Sequence, residues 1–155
     1  SGDWLTLDFP AWRTERVSPP PLLLETLGIM TCKEVRVGRD YLVVMECQQQ
    51  VEALRPNISA MLPLGKMVCV TAPGEGEYDF VSRFFCPGEA VAEDPVTGSA
   101  HSMLIPYWAE KRNKTKMLAR QISERGGDLR CQLVGERVHI GGQATTYLVG
   151  KVLLR

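Results

Sequence analysis

The chain has 155 residues, 45% of them apolar and 23% charged, and its 18 basic side chains are balanced by 18 acidic ones. About 70 apolar residues suffice for one core without a disulfide or metal staple, so the length fits one domain or half of a two-lobed protein. Zero formal net charge without a basic stripe argues against a general nucleic-acid binder, and no apolar run approaches the roughly 18 residues of a membrane span.

In chain order, Leu5-Thr6-Leu7-Asp8-Phe9 alternates apolar and polar and predicts a half-buried strand ended by Pro10. Pro19-Pro20-Pro21 breaks the chain, residues 22–27 predict a short helix, and Gly28 stands where a left-handed cap belongs. Residues 33–37 and 41–47 predict two strands joined as a hairpin by Gly38-Arg39-Asp40. Short helical turns are expected over 48–55 and 59–62, then a strand over 66–71 and a loop at Pro73-Gly74-Glu75-Gly76. Residues 78–85 alternate again, with Tyr78, Phe80 and Ser82 on one side and Val81 and Arg83 on the other. A loop rich in Pro, Gly and acids follows over 86–98, then the longest helical pattern, from Ser99 to about Arg112. Four more strands are expected over 120–123, 129–134, 137–140 and 145–154, separated by glycine-bearing turns.

Helices do not alternate with strands one for one, which disfavours a doubly wound parallel sheet. An α+β domain with a largely antiparallel sheet fits better. Ala100, Met103, Leu104, Tyr107 and Trp108 follow helical spacing, and Ile105 and Ala109 carry the apolar surface round the sides. A helix apolar nearly all round must be buried nearly all round, so a curved sheet wrapped about a central helix is expected. Pro106 deletes one N–H and crowds the Ser102 carbonyl, which predicts a kink there, or an end of the helix at Ile105.

The five cysteines (Cys32, Cys47, Cys69, Cys86 and Cys131) contain no C-x-x-C pair, and the two histidines are His101 and His139. No metal site is expected; reduced, mostly buried thiols in a cytoplasmic protein are. No charged-then-apolar leader opens the sequence, so no secretory signal is expected. Phosphate-loop, dinucleotide and nucleophile-elbow motifs fail on inspection, and no cofactor is implied. What remains is Glu93-Asp94-Pro95-Val96-Thr97-Gly98-Ser99-Ala100-His101. Amides of Gly98, Ser99 and Ala100 at the mouth of a buried helix would suit a substrate carboxylate. Thr97 and Ser99 add hydroxyls, Gly98 allows close approach, and Asp94 can exchange a proton. A plain helix N-cap is the competing explanation of the same string. His101 is expected to be a packed or surface histidine, and His139 to face solvent from its strand.

The string from Glu93 to His101, with Asp79-Phe80-Val81-Ser82-Arg83-Phe84-Phe85, Pro106-Tyr107-Trp108-Ala109, Ser123-Glu124-Arg125-Gly126-Gly127 and Arg137-Val138-His139-Ile140-Gly141-Gly142, resembles the phenazine-biosynthesis-like (PhzF-type) isomerase family. The resemblance implies the diaminopimelate-epimerase fold, two lobes each made of a sheet round a helix, and matches this chain to the second, C-terminal lobe over residues 1–155. It implies catalytic roles for Asp94 and Ser99, substrate binding at Thr97 and Gly98, and cofactor-free proton transfer on a small carboxylate held between the lobes. The family's first-lobe glutamate and its histidine in a G-H-A/P-type motif are not in this chain, and His101 does not replace that histidine. Expected partners are the small carboxylate and the missing N-terminal lobe; a homodimer is left open, and neither nucleic acid nor membrane is expected. The last expected strand, 145–154, would pair with that absent lobe. A lone lobe is expected to be inactive, and a non-catalytic scaffold that kept the fold is the alternative. A two-thiol racemase is weakened because no cysteine lies between Pro87 and Arg130.

Overall fold

The computed structural model describes residues 4–153. In chain order these form β1 (Trp4–Pro10), β2 (Glu15–Val17), α1 (Pro21–Leu27), β3 (Glu34–Val37), β4 (Tyr41–Val44), α2 (Gln48–Glu52), a 3-10 helix (Ser59–Leu64), β5 (Val68–Pro73), β6 (Phe80–Phe85), α3 (Gly98–Arg112), β7 (Lys116–Gln121), β8 (Gly127–Val134) and β9 (Arg137–Gln143). All nine strands join one sheet in the order β1-β9-β8-β7-β6-β5-β4-β3-β2. Pairing is antiparallel except at β4–β5 and β6–β7, which are parallel.

That order forces the sheet to curl. Its two edges, β1 and β2, are consecutive in sequence and joined only by residues 11–14. Such a link reaches roughly 15 Å, whereas the outer strands of a flat nine-stranded sheet lie about 38 Å apart. The space enclosed is filled by α3, in which Ala100, His101, Ser102, Met103, Leu104, Ile105, Tyr107, Trp108 and Ala109 are buried. The expected α+β wrapped-helix architecture is therefore the observed one.

Alternation along the central strands makes two cores. Leu42, Val44, Cys69, Phe80 and Phe84 face inward and meet α3, together with Met117, Ala119, Leu129, Cys131, Val138 and Ile140 from the strands that complete the wrap. Val43, Met45, Val68, Val70, Val81 and Phe85 face outward beneath α1, α2 and the 3-10 helix. Being buried on both faces explains why β4 and β5 read as continuous apolar runs.

Pro106 does not end α3. The Ser102 carbonyl that loses its helical donor instead accepts the backbone N–H of Trp12 at 2.8 Å, from the link that closes the sheet. The helix then runs to Arg112 and stops at Asn113, whose φ of 51° is a left-handed cap.

Several expectations shift. β2 is three residues long, too short for any alternation to register. β7 begins at Lys116, four residues before the strand expected from Arg120. The strand expected over 145–154 is absent: residues 144–153 join no ladder and are exposed, with Tyr147, Leu148 and Val149 open to solvent, and Leu154 lies outside the described residues. Both sides of β9 are taken, by β8 and by β1, so this segment cannot pair back onto the strand that precedes it.

Leu104 is fully buried against this shell. Leu104→Ala is expected to cost about 2–5 kcal/mol, as large-to-small changes do in a core that cannot collapse. Urea unfolding monitored by tryptophan fluorescence measures it, and a loss below about 1 kcal/mol would contradict full enclosure of the helix.

Candidate functional site

The segment between β6 and α3 carries the candidate chemistry. It first returns along β6: Cys86 N–H reaches Ala92 O at 2.8 Å, Phe85 and Glu93 form an isolated bridge, and Asp94 N–H reaches Phe84 O at 3.0 Å. Glu93 is engaged by Arg83 through two hydrogen bonds of 2.8 Å, and the same guanidinium donates to the carbonyls of Val51 and Leu54. Glu93 therefore anchors the loop to the end of α2. The acid pair noted in the sequence thus splits into one structural and one uncommitted carboxylate.

The rest of the loop is tied inward by buried polar side chains. Gln121, at the end of β7 and fully buried, accepts the Thr97 N–H at 2.8 Å and donates to the Asp94 carbonyl and to Thr97 Oγ1. His101 Nδ1 lies 2.7 Å from the Thr97 carbonyl, and Ser123 Oγ donates to the Pro95 carbonyl at 2.8 Å. A carbonyl can only accept, so His101 carries its proton on Nδ1. Burial lowers its pKa from the ordinary 6.5 to about 4.

Of the residues expected at the site, Asp94, Gly98 and Ser99 are partly exposed, while Thr97 is buried. Among the described residues, no hydrogen bond takes the Asp94 carboxylate or the Ser99 hydroxyl, and no side chain caps the first turn of α3. The Thr97 hydroxyl accepts from Gln121, which ties Thr97 to the frame of the loop and leaves its own O–H free to donate. The first amides of a helix have no intrahelical acceptor, so those of Gly98, Ser99 and Ala100 stay available. A Cβ on Gly98 would meet only Leu7 Cδ1, at 3.9 Å, and its φ is not in the left-handed region. The fold does not require glycine here. Gly127, by contrast, is held to glycine by Val96, 2.5 Å from where its Cβ would be.

Beside the loop lies an open cleft of about 440 Å³ lined by Glu93, Pro95, Ser123, Glu124 and Arg125. His101, expected to be packed or exposed, is packed; His139 is half-exposed and 3.9 Å from the Asp8 carboxylate. Among the described residues the five cysteines are free thiols, and no three His, Cys, Asp or Glu side chains converge as metal ligands. Burial pushes the Cys69 and Cys131 thiols far above their ordinary pKa, which leaves them protonated. No described helix is long and apolar enough to cross a membrane. Sequence reasoning missed Gln121 and Arg83; a lone amide and a lone cation on strands give no local signal until the sheet sets them beside residues 93–97.

The fold is thus an α+β unit in which one curved sheet surrounds a buried helix, and the amides at the start of that helix carry no side-chain cap. The comparisons agree: the family model for phenazine biosynthesis-like proteins matches residues 25–150, and the chain belongs to that family. It is 45% identical over 154 residues to an uncharacterized isomerase of Pseudomonas aeruginosa, covering 99% of this chain and 59% of the relative. An uncharacterized isomerase of Halalkalibacterium halodurans is 42% identical over 156 residues, with 99% and 59% covered. The crystal structure of a phenazine biosynthesis protein of the PhzF family from Enterococcus faecalis superposes with a TM-score of 0.89 at 40% identity, covering 99% of this chain and 59% of that one. The chain thus spans about three fifths of the length of the relatives it matches.

Two outcomes follow from this geometry. Gly98→Ala is expected to fold with stability within about 1 kcal/mol of the parent, since alanine fits the space and suits a helix. It is also expected to weaken carboxylate binding at the helix mouth, measured by amide-shift titration. Second, an unfolded histidine takes its proton near pH 6.5 but buried His101 only near 4. The unfolded state therefore binds more protons between those values. The associated stability is complete above about pH 7 and is lost as pH falls through that window, by about 3 kcal/mol at most. Urea unfolding at pH 7 and pH 4.5 tests this, and the loss is expected to shrink in His101→Gln.

Proposed function

We propose that this chain is the C-terminal lobe of a cofactor-independent isomerase that moves a proton on a small carboxylate bound between two lobes. One observation carries the proposal. Backbone groups of Asp94, Pro95 and Thr97 are tied to the lobe, while the Asp94 carboxylate, the Ser99 hydroxyl and the first α3 amides are left uncommitted side by side in sequence at the helix mouth. A plain N-cap would instead turn the Thr97 hydroxyl onto those amides, which it does not do.

In the proposed chemistry the amides of Gly98, Ser99 and Ala100 hold the substrate carboxylate, helped by the positive end of the α3 dipole. A base removes a proton from a carbon next to an unsaturated or carboxylated system, the C–H electron pair spreads into that system, and the proton returns at a different carbon. Asp94 serves as one proton-transfer group and Ser99 as a donor that orients the substrate or passes the proton. Thr97 shapes the same wall from beneath. The opposing base, a glutamate by family resemblance, would lie in the length the relatives have and this chain does not. Free thiols and family resemblance fit a cytoplasmic location.

A single wall leaves the substrate in water and offers one half of the acid–base pair. The 155-residue chain alone is therefore expected to show no turnover, and a two-lobed form of it to be active. The assay follows deuterium exchange from solvent into cyclic and acyclic unsaturated carboxylates by NMR, for the lone chain, the two-lobed form and its Asp94→Asn variant. A drop of at least 100-fold in Asp94→Asn is expected. Full activity in that variant would refute Asp94 as the proton carrier. A two-lobed form that binds carboxylates yet exchanges none would favour the non-catalytic scaffold.

A further inference from the structure

We propose that Gln121 and His101 are positioning residues that together fix Asp94 and the substrate-binding amides by holding both backbone groups of Thr97. The proposal rests on the function above only in giving Asp94 and those amides their task; the clamp itself is a matter of geometry.

Thr97 is the hinge between the Asp94 loop and α3. Its N–H points to Gln121 Oε1 at 2.8 Å and its carbonyl to His101 Nδ1 at 2.7 Å. Gln121 Nε2 reaches back to the Asp94 carbonyl and to Thr97 Oγ1, so one amide spans both ends of residues 94–97. The Gln121 side chain therefore has one permitted orientation, with oxygen toward the Thr97 N–H and nitrogen toward the Asp94 carbonyl. Rotation of the peptide plane before Gly98 would swing the first amides of α3 and shift the Asp94 backbone together. Both motions are blocked by groups with no solvent exposure.

The fold gives no separate reason for either polar group. Gln121 pairs with Gly127 in the β7–β8 register and follows Met117 and Ala119 on the inward face, where an apolar side chain would complete the core. Among the described residues its side chain bonds only to residues 94 and 97. His101 sits on the first turn of α3 against Phe80, its Nε2 buried and without a partner. Burying an amide and a half-satisfied imidazole has a cost that apolar residues would not incur. What that cost secures is the setting of the site wall, to which proton transfer is sensitive at the scale of an ångström. Neither side chain touches the reacting atoms.

The test uses the 155-residue chain with Gln121→Met, which keeps the volume but removes donor and acceptor, and Gln121→Glu. A protonated carboxyl offers one O–H donor and one acceptor and can mimic the amide; an ionised one offers no donor to the Asp94 carbonyl. Amide hydrogen exchange is followed by NMR; Cys86, Glu89, Glu93 and Asp94 on the loop and His101, Tyr107, Glu110 and Lys111 on α3 are also titratable, so the wild type is measured at each pH. In Gln121→Met the Thr97 amide is expected to exchange at least 100-fold faster while Leu104 and Trp108 in α3 keep their protection. In Gln121→Glu the Thr97 N–H keeps an acceptor at every pH, whereas the Asp94 carbonyl should keep its wild-type carbon-13 shift at low pH and lose it as the carboxyl ionises and its O–H donor is gone, a pH signature that loss of core volume does not produce. His101→Phe should speed exchange of the Thr97 amide in the same local way. Uniform loss across α3 and β7, or a Thr97 amide unchanged in Gln121→Met, would overturn the clamp. In the two-lobed form, Gln121→Met should lower kcat/KM at least tenfold, through kcat and KM together. If Asp94→Asn leaves turnover intact while Thr97 protection still depends on Gln121, the proposed function fails and the clamp stands.

Discussion

The structure depends on one requirement: α3 must be hidden from water on every side. Its apolar residues occupy all positions round the axis as far as Ala109, so packing against one face would leave the others exposed. A single sheet can satisfy this only by curling until its edges nearly meet. The strand order does that, since β1 and β2 lie at opposite edges yet are separated by a four-residue link. Curling also leaves the outer face of β3 to β6 in need of cover, and α1, α2 and the 3-10 helix supply it. Two cores thus follow from one buried helix.

The closure point is set by the residue that looked least suited to a helix. Pro106 frees the Ser102 carbonyl in the middle of the core, where an unpaired acceptor would be costly. Trp12 N–H fills it from the closing link. The proline therefore gives the two edges of the sheet a fixed place at which to join over the helix. A similar economy appears at Trp108, whose indole N–H donates to Thr71 Oγ1, which donates in turn to the Val81 carbonyl. These buried polar groups join elements that sequence keeps apart.

The candidate site follows the same logic in reverse. Between Glu93 and Thr97, the fold engages backbone and charge alike, through Arg83, Phe84, Gln121, Ser123 and His101. What it leaves unengaged is a carboxylate, a hydroxyl and the amides at a helix mouth. Catalytic geometry demands such rigidity, because groups that must meet a substrate cannot also be searching for their own partners. That the fold does not require a glycine at position 98 belongs to the same pattern.

Much of this was legible in the chain itself. The span and burial of α3 follow from apolar spacing, Gly28 and the Gly38-Arg39-Asp40 hairpin from turn chemistry, and the site string from its juxtaposition of acids, proline and small residues before a helix. These are properties of neighbours along the chain. The parallel pairing of β4 with β5, the brief β2 and the early start of β7 were not legible, because strand partners are chosen by the whole sheet. Residues 144–153 have the composition of a strand but join no ladder, because alternation along a segment does not supply the partner that a strand needs. Sequence alone determined what must be buried and which residues could do chemistry. Only the tertiary structure decided that Glu93 is an anchor, that Thr97 is held inward and that Gln121 matters, because hydrogen bonds between distant residues exist only once the sheet has closed.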